Sequence, residues 1–181
     1  KLVTDLIIDN QMFHSSTDAR TIDGKTIYAN NYEYSDIRKW LNEDFYNKAF
    51  TKALQSCINT TLVDNSIEST GESSNQYICN DTYDKVYLLS VKEMKNEEYG
   101  FTNDTSISVS RQKQLTDYAK ALGCSMSKDD SYYNNGYYWL RSPRNHNNYD
   151  VDYINEKGVI WYDWCIKSRL GVCPAITINL G

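Results

Sequence analysis

Two apolar segments near the end of the chain, Trp139-Leu140-Arg141-Ser142-Pro143 and Gly171-Val172-Cys173-Pro174-Ala175-Ile176, bracket a stretch crowded with Asn, Asp, Tyr, Trp and His. This layout constrains the fold more than any other feature. Regular apolar segments make a frame, and the polar, aromatic insert between them is what the frame displays. Side chains can recognise a ligand only if the backbone beneath them stays put. From Tyr137 onward the chain reads as strands, predicted over Tyr137–Arg141, Tyr149–Ile154, Val159–Trp164 and Val172–Leu180. Asn155-Glu156-Lys157-Gly158 predicts a hairpin turn, with Gly158 able to take a positive φ.

The first half reads differently. Leu2-Val3-Thr4-Asp5-Leu6-Ile7-Ile8 is a β-rich run that needs a partner strand, and a start in mid-strand suggests missing upstream residues. Ser35 is an N-cap with an acid in the first turn behind it, and Ile37, Trp40 and Leu41 make one apolar face. Phe45, Ala49, Phe50 and Leu54 continue that periodicity to Cys57, as one broken helix or two in succession. Residues 64–82 lack periodicity and read as an exposed loop. Val86–Leu89 reads as a short buried strand. Ser90 could cap a helix over Val91–Glu98, and Thr116 opens another that ends at Gly123. Helices first and a β meander last predict an α+β fold in one domain spanning 1–181.

Composition narrows the function. Net charge is −5 with no basic stripe, which argues against nucleic acid as a partner. No apolar run approaches the roughly 20 residues of a membrane helix, so no membrane insertion is expected. No signal peptide precedes Lys1, as in an intracellular chain or a trimmed one. The 16 Tyr and 18 Asn fit an AT-rich genome; they also suit a contact surface, since Tyr offers large area and Asn adaptable hydrogen bonds. Five Cys without C-x-x-C spacing predict, for most of them, small buried hydrophobes rather than a zinc site.

Several segments carry a resemblance. Ser35-Asp36-Ile37-Arg38-Lys39-Trp40-Leu41-Asn42, Asp84-Lys85-Val86-Tyr87-Leu88-Leu89-Ser90, Arg111, Thr116-Asp117-Tyr118-Ala119, the two bracketing motifs and Gly158-Val159 come in a recognisable order. Together they resemble an uncharacterised domain family common in gut Firmicutes and their phages. That family is related to the formylglycine-generating-enzyme (sulfatase-activating) branch of the C-type lectin fold. The resemblance implies helices beside a twisted antiparallel sheet, with N-terminal strands usually preceding Leu2. Members usually have Arg where Cys173 stands. The variable proteins of diversity-generating retroelements share the fold and bear mutable residues where Arg144–Leu170 lies. Asn145, His146, Asn147, Asn148, Tyr149, Asp150 and Asp152 are types that adenine mutagenesis of Asn codons yields; Trp161 and Trp164 are not.

The candidate ligand-binding residues are therefore Asn145, His146, Asn147, Asn148, Tyr149, Asp150, Asp152, Trp161, Tyr162, Asp163, Trp164 and Lys167. Asp150 and Asp152 share one strand face and read as a solvated acidic face; with Asp163 they could gather Ca²⁺. The lectin ligand triplets are missing, and no metal or cofactor is expected. Of the Trp161/Asp163 and Tyr162/Trp164 pairs, one should face the core and the other solvent, with Tyr162 or Trp164 as the exposed aromatic. Trp40 and Trp139 read as core, and Arg141 as a buried structural partner. His14 reads as a loop or helix-cap residue and His146 as a contact residue. No catalytic fingerprint occurs. The expected function is non-catalytic binding of a surface protein or glycan, at a cell or phage surface. The alternatives are a formylglycine-generating-type enzyme using Cys165 and Cys173, and a purely structural module.

Overall fold

A computed structural model describes residues 1–179. The strands are β1 Leu2–Val3, β2 Asp9–Asn10, β3 Arg20–Ile22, β4 Lys25–Ile27, β5 Thr61–Val63, β6 Thr82–Asp84, β7 Val86–Tyr87, β8 Tyr138–Pro143, β9 Asp150–Ile154, β10 Ile160–Trp164, β11 Gly171–Val172 and β12 Ala175–Ile176. The helices are α1 Asp36–Trp40, α2 Tyr46–Ala49, α3 Lys52–Cys57, α4 Ile67–Thr70 and α5 Asp117–Ala121, joined by short 3₁₀ turns elsewhere. The fold is α+β, with a curled, mostly antiparallel sheet in the order β10-β9-β8-β11-β2. Strand β11 runs parallel to β8 and antiparallel to β2. A second sheet, β1-β12-β7, closes the other side.

Every residue of β8 is buried, which makes this strand the spine of the meander. Its pairing with β9 slips between Trp139 and Pro143. The bulged residues turn instead to the segment after β7, where the Arg141 N–H donates to the Leu89 carbonyl at 3.0 Å. A bulge re-aims side chains, and here it drives Arg141 inward. Its guanidinium donates to the Leu88 carbonyl at 2.7 Å and the Asp64 carbonyl at 3.0 Å, and pairs with Glu93. Burial alone would raise Glu93; the charge of Arg141, the hydrogen bond from Lys1 and the Ser90 N–H outweigh it and hold the carboxyl at about 2. Arg141 is thus the buried structural partner its position predicts.

A second buried arginine holds the far end of the meander. Arg111 is fully buried and donates to the carbonyls of Gly158 at 2.7 Å, Thr102 at 2.9 Å and Ser106 at 2.6 Å. It thereby clamps the 102–108 loop onto the β9–β10 turn. That turn forms as predicted: the Asn155 side chain accepts from the Lys157 and Val159 N–H groups, and Gly158 has φ +77°. A Cβ on Gly158 would lie 2.0 Å from the Ser108 carbonyl oxygen, so no side chain fits.

The N-terminal helix begins where the sequence places it, with Ser35 Oγ accepting from the Arg38 N–H. It passes through a π-helical turn at Leu41–Phe45 into α2, and Thr51 caps α3 separately. Ile37 and Leu41 are buried, whereas Trp40 is half-buried against Phe45 rather than a core residue. Thr116 caps α5, and Gly123 follows its end with φ +90°.

Four expectations change. The 2–8 run is not one strand: β1 pairs with β12, Ile7 bridges Leu115, and β2 pairs with β11. The Val172–Leu180 strand breaks at Cys173-Pro174, because Pro has no N–H to donate to a ladder; the chain changes sheets there, and Leu180 lies outside the described residues. The Val91–Glu98 helix is two 3₁₀ turns, although Ser90 and Glu93 do make a reciprocal cap. The 64–82 segment is not simply exposed: Asn65, Ser69, Thr70 and Asn75 are buried, and Asn75 donates to the Pro143 carbonyl at 2.8 Å.

Replacing Arg141 by Met leaves the buried Glu93 carboxylate with only Lys1 and the Ser90 N–H and should cost about 3–5 kcal/mol in urea unfolding. The wild type should also lose stability as pH falls from 4.5 toward 2, because the folded Glu93 value lies below its ordinary one; the variant should show a smaller loss. Gly158→Ala should cost more than about 1 kcal/mol through its φ and the Ser108 clash.

Candidate functional site

The predicted site residues gather on two elements, the 144–149 loop and β10. Strand β10 is the edge of its sheet, so it has a strand neighbour, β9, on one side only. Trp161 is 55% exposed and Trp164 49% exposed, on opposite faces. This corrects the expectation that one pair faces the core. Only Ile160, at the start of the strand, is buried.

On the face of Tyr162 and Trp164 the rings are braced by neighbours. The Arg144 guanidinium lies 5.1 Å from the centre of the Tyr162 ring, and the His146 ring 5.5 Å away. Tyr149 meets Trp164 edge-on at 5.3 Å, and the Lys167 ammonium lies 6.0 Å over the Trp164 ring. Such ring and cation contacts hold aromatic side chains in place at low entropy cost. Tyr162 and Tyr149 are half-buried supports, and Trp164 is the exposed member.

The amides beneath are largely committed to the loop itself. Asn147 Oδ1 accepts from the Tyr149 and Asp150 N–H groups, and its Nδ2 donates to Asp150 Oδ2 at 2.7 Å. Asn145 donates to the Ser74 carbonyl, yet stays exposed. The Asn148 carbonyl accepts from the Asn30 N–H, which ties the loop to the first half of the chain. His146 Nδ1 lies 2.9 Å from Asp150 Oδ2. Of the predicted contact residues, Asn147 therefore shapes the loop, while Asn145 and His146 remain at its surface.

Asp150 and Asp152 do share a face, but it is not a solvated one. Both are buried, and Asp163 points to the opposite face, so the three do not converge. No group of three or more His, Cys, Asp or Glu able to hold a metal occurs among the described residues. Asp152 is 1% exposed and neither carboxylate oxygen has a hydrogen bond. Its nearest cation is Arg144, at 3.7 Å, which also faces Glu72 at 3.7 Å. Burial raises the Asp152 carboxyl well above its ordinary range; Arg144 opposes this, while Glu72 and Asp150 add to it. Asp152 is thus a buried acid rather than a surface one.

Cys57 is exposed and Cys79 half-buried, but the two candidate thiols, Cys165 and Cys173, are closed. Cys165 donates to the Ser16 carbonyl at 3.3 Å and Cys173 to the Leu6 carbonyl at 3.7 Å. Both are free and buried, and burial pushes each up to about 12. Neither is a thiolate at neutral pH, so neither is an activated nucleophile. His14 sits in a loop, buried against Asp36 of α1 at 3.0 Å.

On the Trp161 and Asp163 face a hollow of 510 Å³ opens between the meander and two other segments. Tyr137, Tyr153 and Asp163 form its floor; Ser125, Met126 and the 167–170 stretch form its walls. Of these, only Asp163 and Lys167 were predicted. Tyr153 was within reach, because the turn at Asn155–Gly158 sets Tyr153 opposite Trp161. Ser125 and Met126 come from a distant segment and carry no local signal. Arg144 was likewise missed, since its role depends on Tyr162 across the sheet.

A profile of one protein family matches residues 1–180, described only as a domain of unknown function, DUF6273. The chain belongs to that family. No curated protein and no solved structure matches it. Among the described residues of this DUF6273 chain, no helix is long and apolar enough to cross a membrane.

Asp152→Asn should stabilise the protein at neutral pH by more than about 1 kcal/mol. A carboxyl raised on folding contributes fully below its ordinary value of 3.8 and loses that contribution as pH rises. The gap between variant and wild type in thermal melts should therefore close near pH 4 and open toward pH 7.

Proposed function

We propose that this chain is a non-catalytic ligand-binding domain, in the manner of the diversity-generating retroelement variable proteins, on a C-type lectin-like fold of the sulfatase-activating branch. Its target is a protein or glycan at a cell or phage surface. The observation that carries the reading is the pair of exposed tryptophans on β10. Exposed Tyr is scattered over the whole surface, at Tyr83, Tyr118 and Tyr133 for example, and marks no site. Tryptophan is different: of the 4 in the chain, one is core, one is half-buried, and both exposed ones lie on this edge strand. Large exposed rings rimmed by polar groups are what recognition surfaces use.

The fold assignment is supported by three features. Strands β1 and β12 bring the first and last described segments side by side. The helices lie early in the chain and the meander late. The 144–170 stretch, which resembles the variable segment, hangs from β8 and returns to β11, both buried.

In the proposed mechanism Trp161 and Trp164 anchor the ligand, with Asn145, His146, Asp163 and Lys167 adding hydrogen bonds at the rim. Tyr149 and Tyr162 hold the anchors in place. Screening on a glycan array and against purified bacterial surface proteins identifies the target. Trp161→Ala and Trp164→Ala should each then weaken binding by about tenfold or more, with melting temperatures unchanged. Binding that survives both substitutions, or is lost only in step with stability, would contradict the reading.

A further inference from the structure

The hollow between β8, β9, β10 and the 167–170 stretch has a chemistry of its own. At 510 Å³ it falls within the roughly 300–1,000 Å³ typical of small-molecule sites. Its floor is made of ring faces: Tyr137 and Tyr153 stand 6.2 Å apart at 49°, an open wedge rather than a closed stack. Tyr153 sits on β9 and Tyr137 immediately precedes β8, so both rings are carried by the meander frame. Leu170 adds a buried apolar side.

The polar groups include one opposed pair. Asp163 and Lys167 lie side by side at 3.4 Å, both lining the hollow. Arg169 lines the same wall, and its guanidinium has no ion pair or hydrogen bond within the described residues. A carboxylate beside an ammonium offers an acceptor and a donor a few ångströms apart. Two adjacent hydroxyls match that pair, since each hydroxyl both donates and accepts.

We propose that this hollow binds a sugar ring, its C–H face on Tyr153 and Tyr137 and two neighbouring hydroxyls shared between Asp163 and Lys167. A ring with one apolar face and a polar circumference fits apolar floor and polar walls together; a peptide side chain would use one or the other. The inference rests on the reading of the meander as a recognition face, and it selects glycan over protein as the target. Trp161 lies cross-strand from Tyr153, outside the lining of the hollow.

The test is a chemical-shift titration of the whole isotope-labelled chain with methyl glucoside, methyl galactoside, methyl mannoside and N-acetylglucosamine, alongside N-acetylneuraminic acid. At least one of these sugars should shift the amides of Tyr153, Asp163 and Lys167 saturably. Asp163→Ala and Lys167→Met, both at half-exposed or exposed positions, should each weaken that binding by about tenfold (a factor equivalent to about 1.4 kcal/mol) without moving the melting temperature. Should one of the two fail to fold, the other decides. No saturable shift from any sugar, or shifts confined to other surfaces, would overturn the proposal. Those results would leave the broader reading standing wherever Trp161→Ala and Trp164→Ala still weaken capture of a protein target. If a sugar binds in the hollow while both tryptophan substitutions are silent, the displayed-anchor reading falls and the hollow alone is the site.

Discussion

The structure depends on Arg141 and the bulge that buries it. Strand β8 can be the spine of the meander only because its irregular middle finds other partners. The Arg141 backbone pairs with Leu89, and its guanidinium gathers Leu88, Asp64 and Glu93. A buried guanidinium has many donors to satisfy, and two carbonyls and a carboxylate satisfy them here. The first half of the chain is thereby fastened to the second. Arg111 repeats the device at the hairpin turn, with Gly158 leaving room for it. Between these two points β9 and β10 are held at both ends.

That anchoring allows an edge strand to carry large rings. An edge strand is normally kept short, charged or covered. Here β10 is short and carries Trp161, Tyr162 and Trp164 with Asp163 among them. Its two faces differ. On one, Arg144, His146 and Tyr149 brace the rings over a buried acid, Asp152; on the other, Tyr153 and Tyr137 open into a hollow with paired charges. One short strand therefore presents two surfaces, a braced aromatic ridge and a polar-walled pocket.

Much of this was legible in the sequence, where local chemistry decides. Ser35 and Thr116 cap helices because their hydroxyls reach a free N–H three residues on. Asn155 and Gly158 make the hairpin turn because one side chain accepts twice and the other residue has none. The buried state of Arg141 and Trp139 follows from their place in an apolar segment. What stayed hidden depends on distant partners. Asp150 and Asp152 look like surface residues until Asn147, Arg144 and the 64–82 segment close over them. That segment lacks periodicity because it packs by side chain-to-backbone bonds such as Asn75 to Pro143, which leave no repeating apolar pattern. The 2–8 run splits because β1 and β2 belong to different sheets. The hollow, lined by residues from the 125–126, 137, 153 and 163–170 segments, could not be read from any one of them.

Residue-resolved hydrogen exchange of the free protein tests the central claim, that a frame pinned by buried arginines presents β10, most directly. Amides of Tyr138–Leu140 and Asp150–Ile154 should exchange only through global unfolding, as should the Arg141 N–H bonded to Leu89. The outward-facing edge of β10 should exchange far faster. If the β8–β9 amides instead open as readily as the 144–149 loop, the meander is not a stiff support, and the account of how this protein displays its rings is wrong.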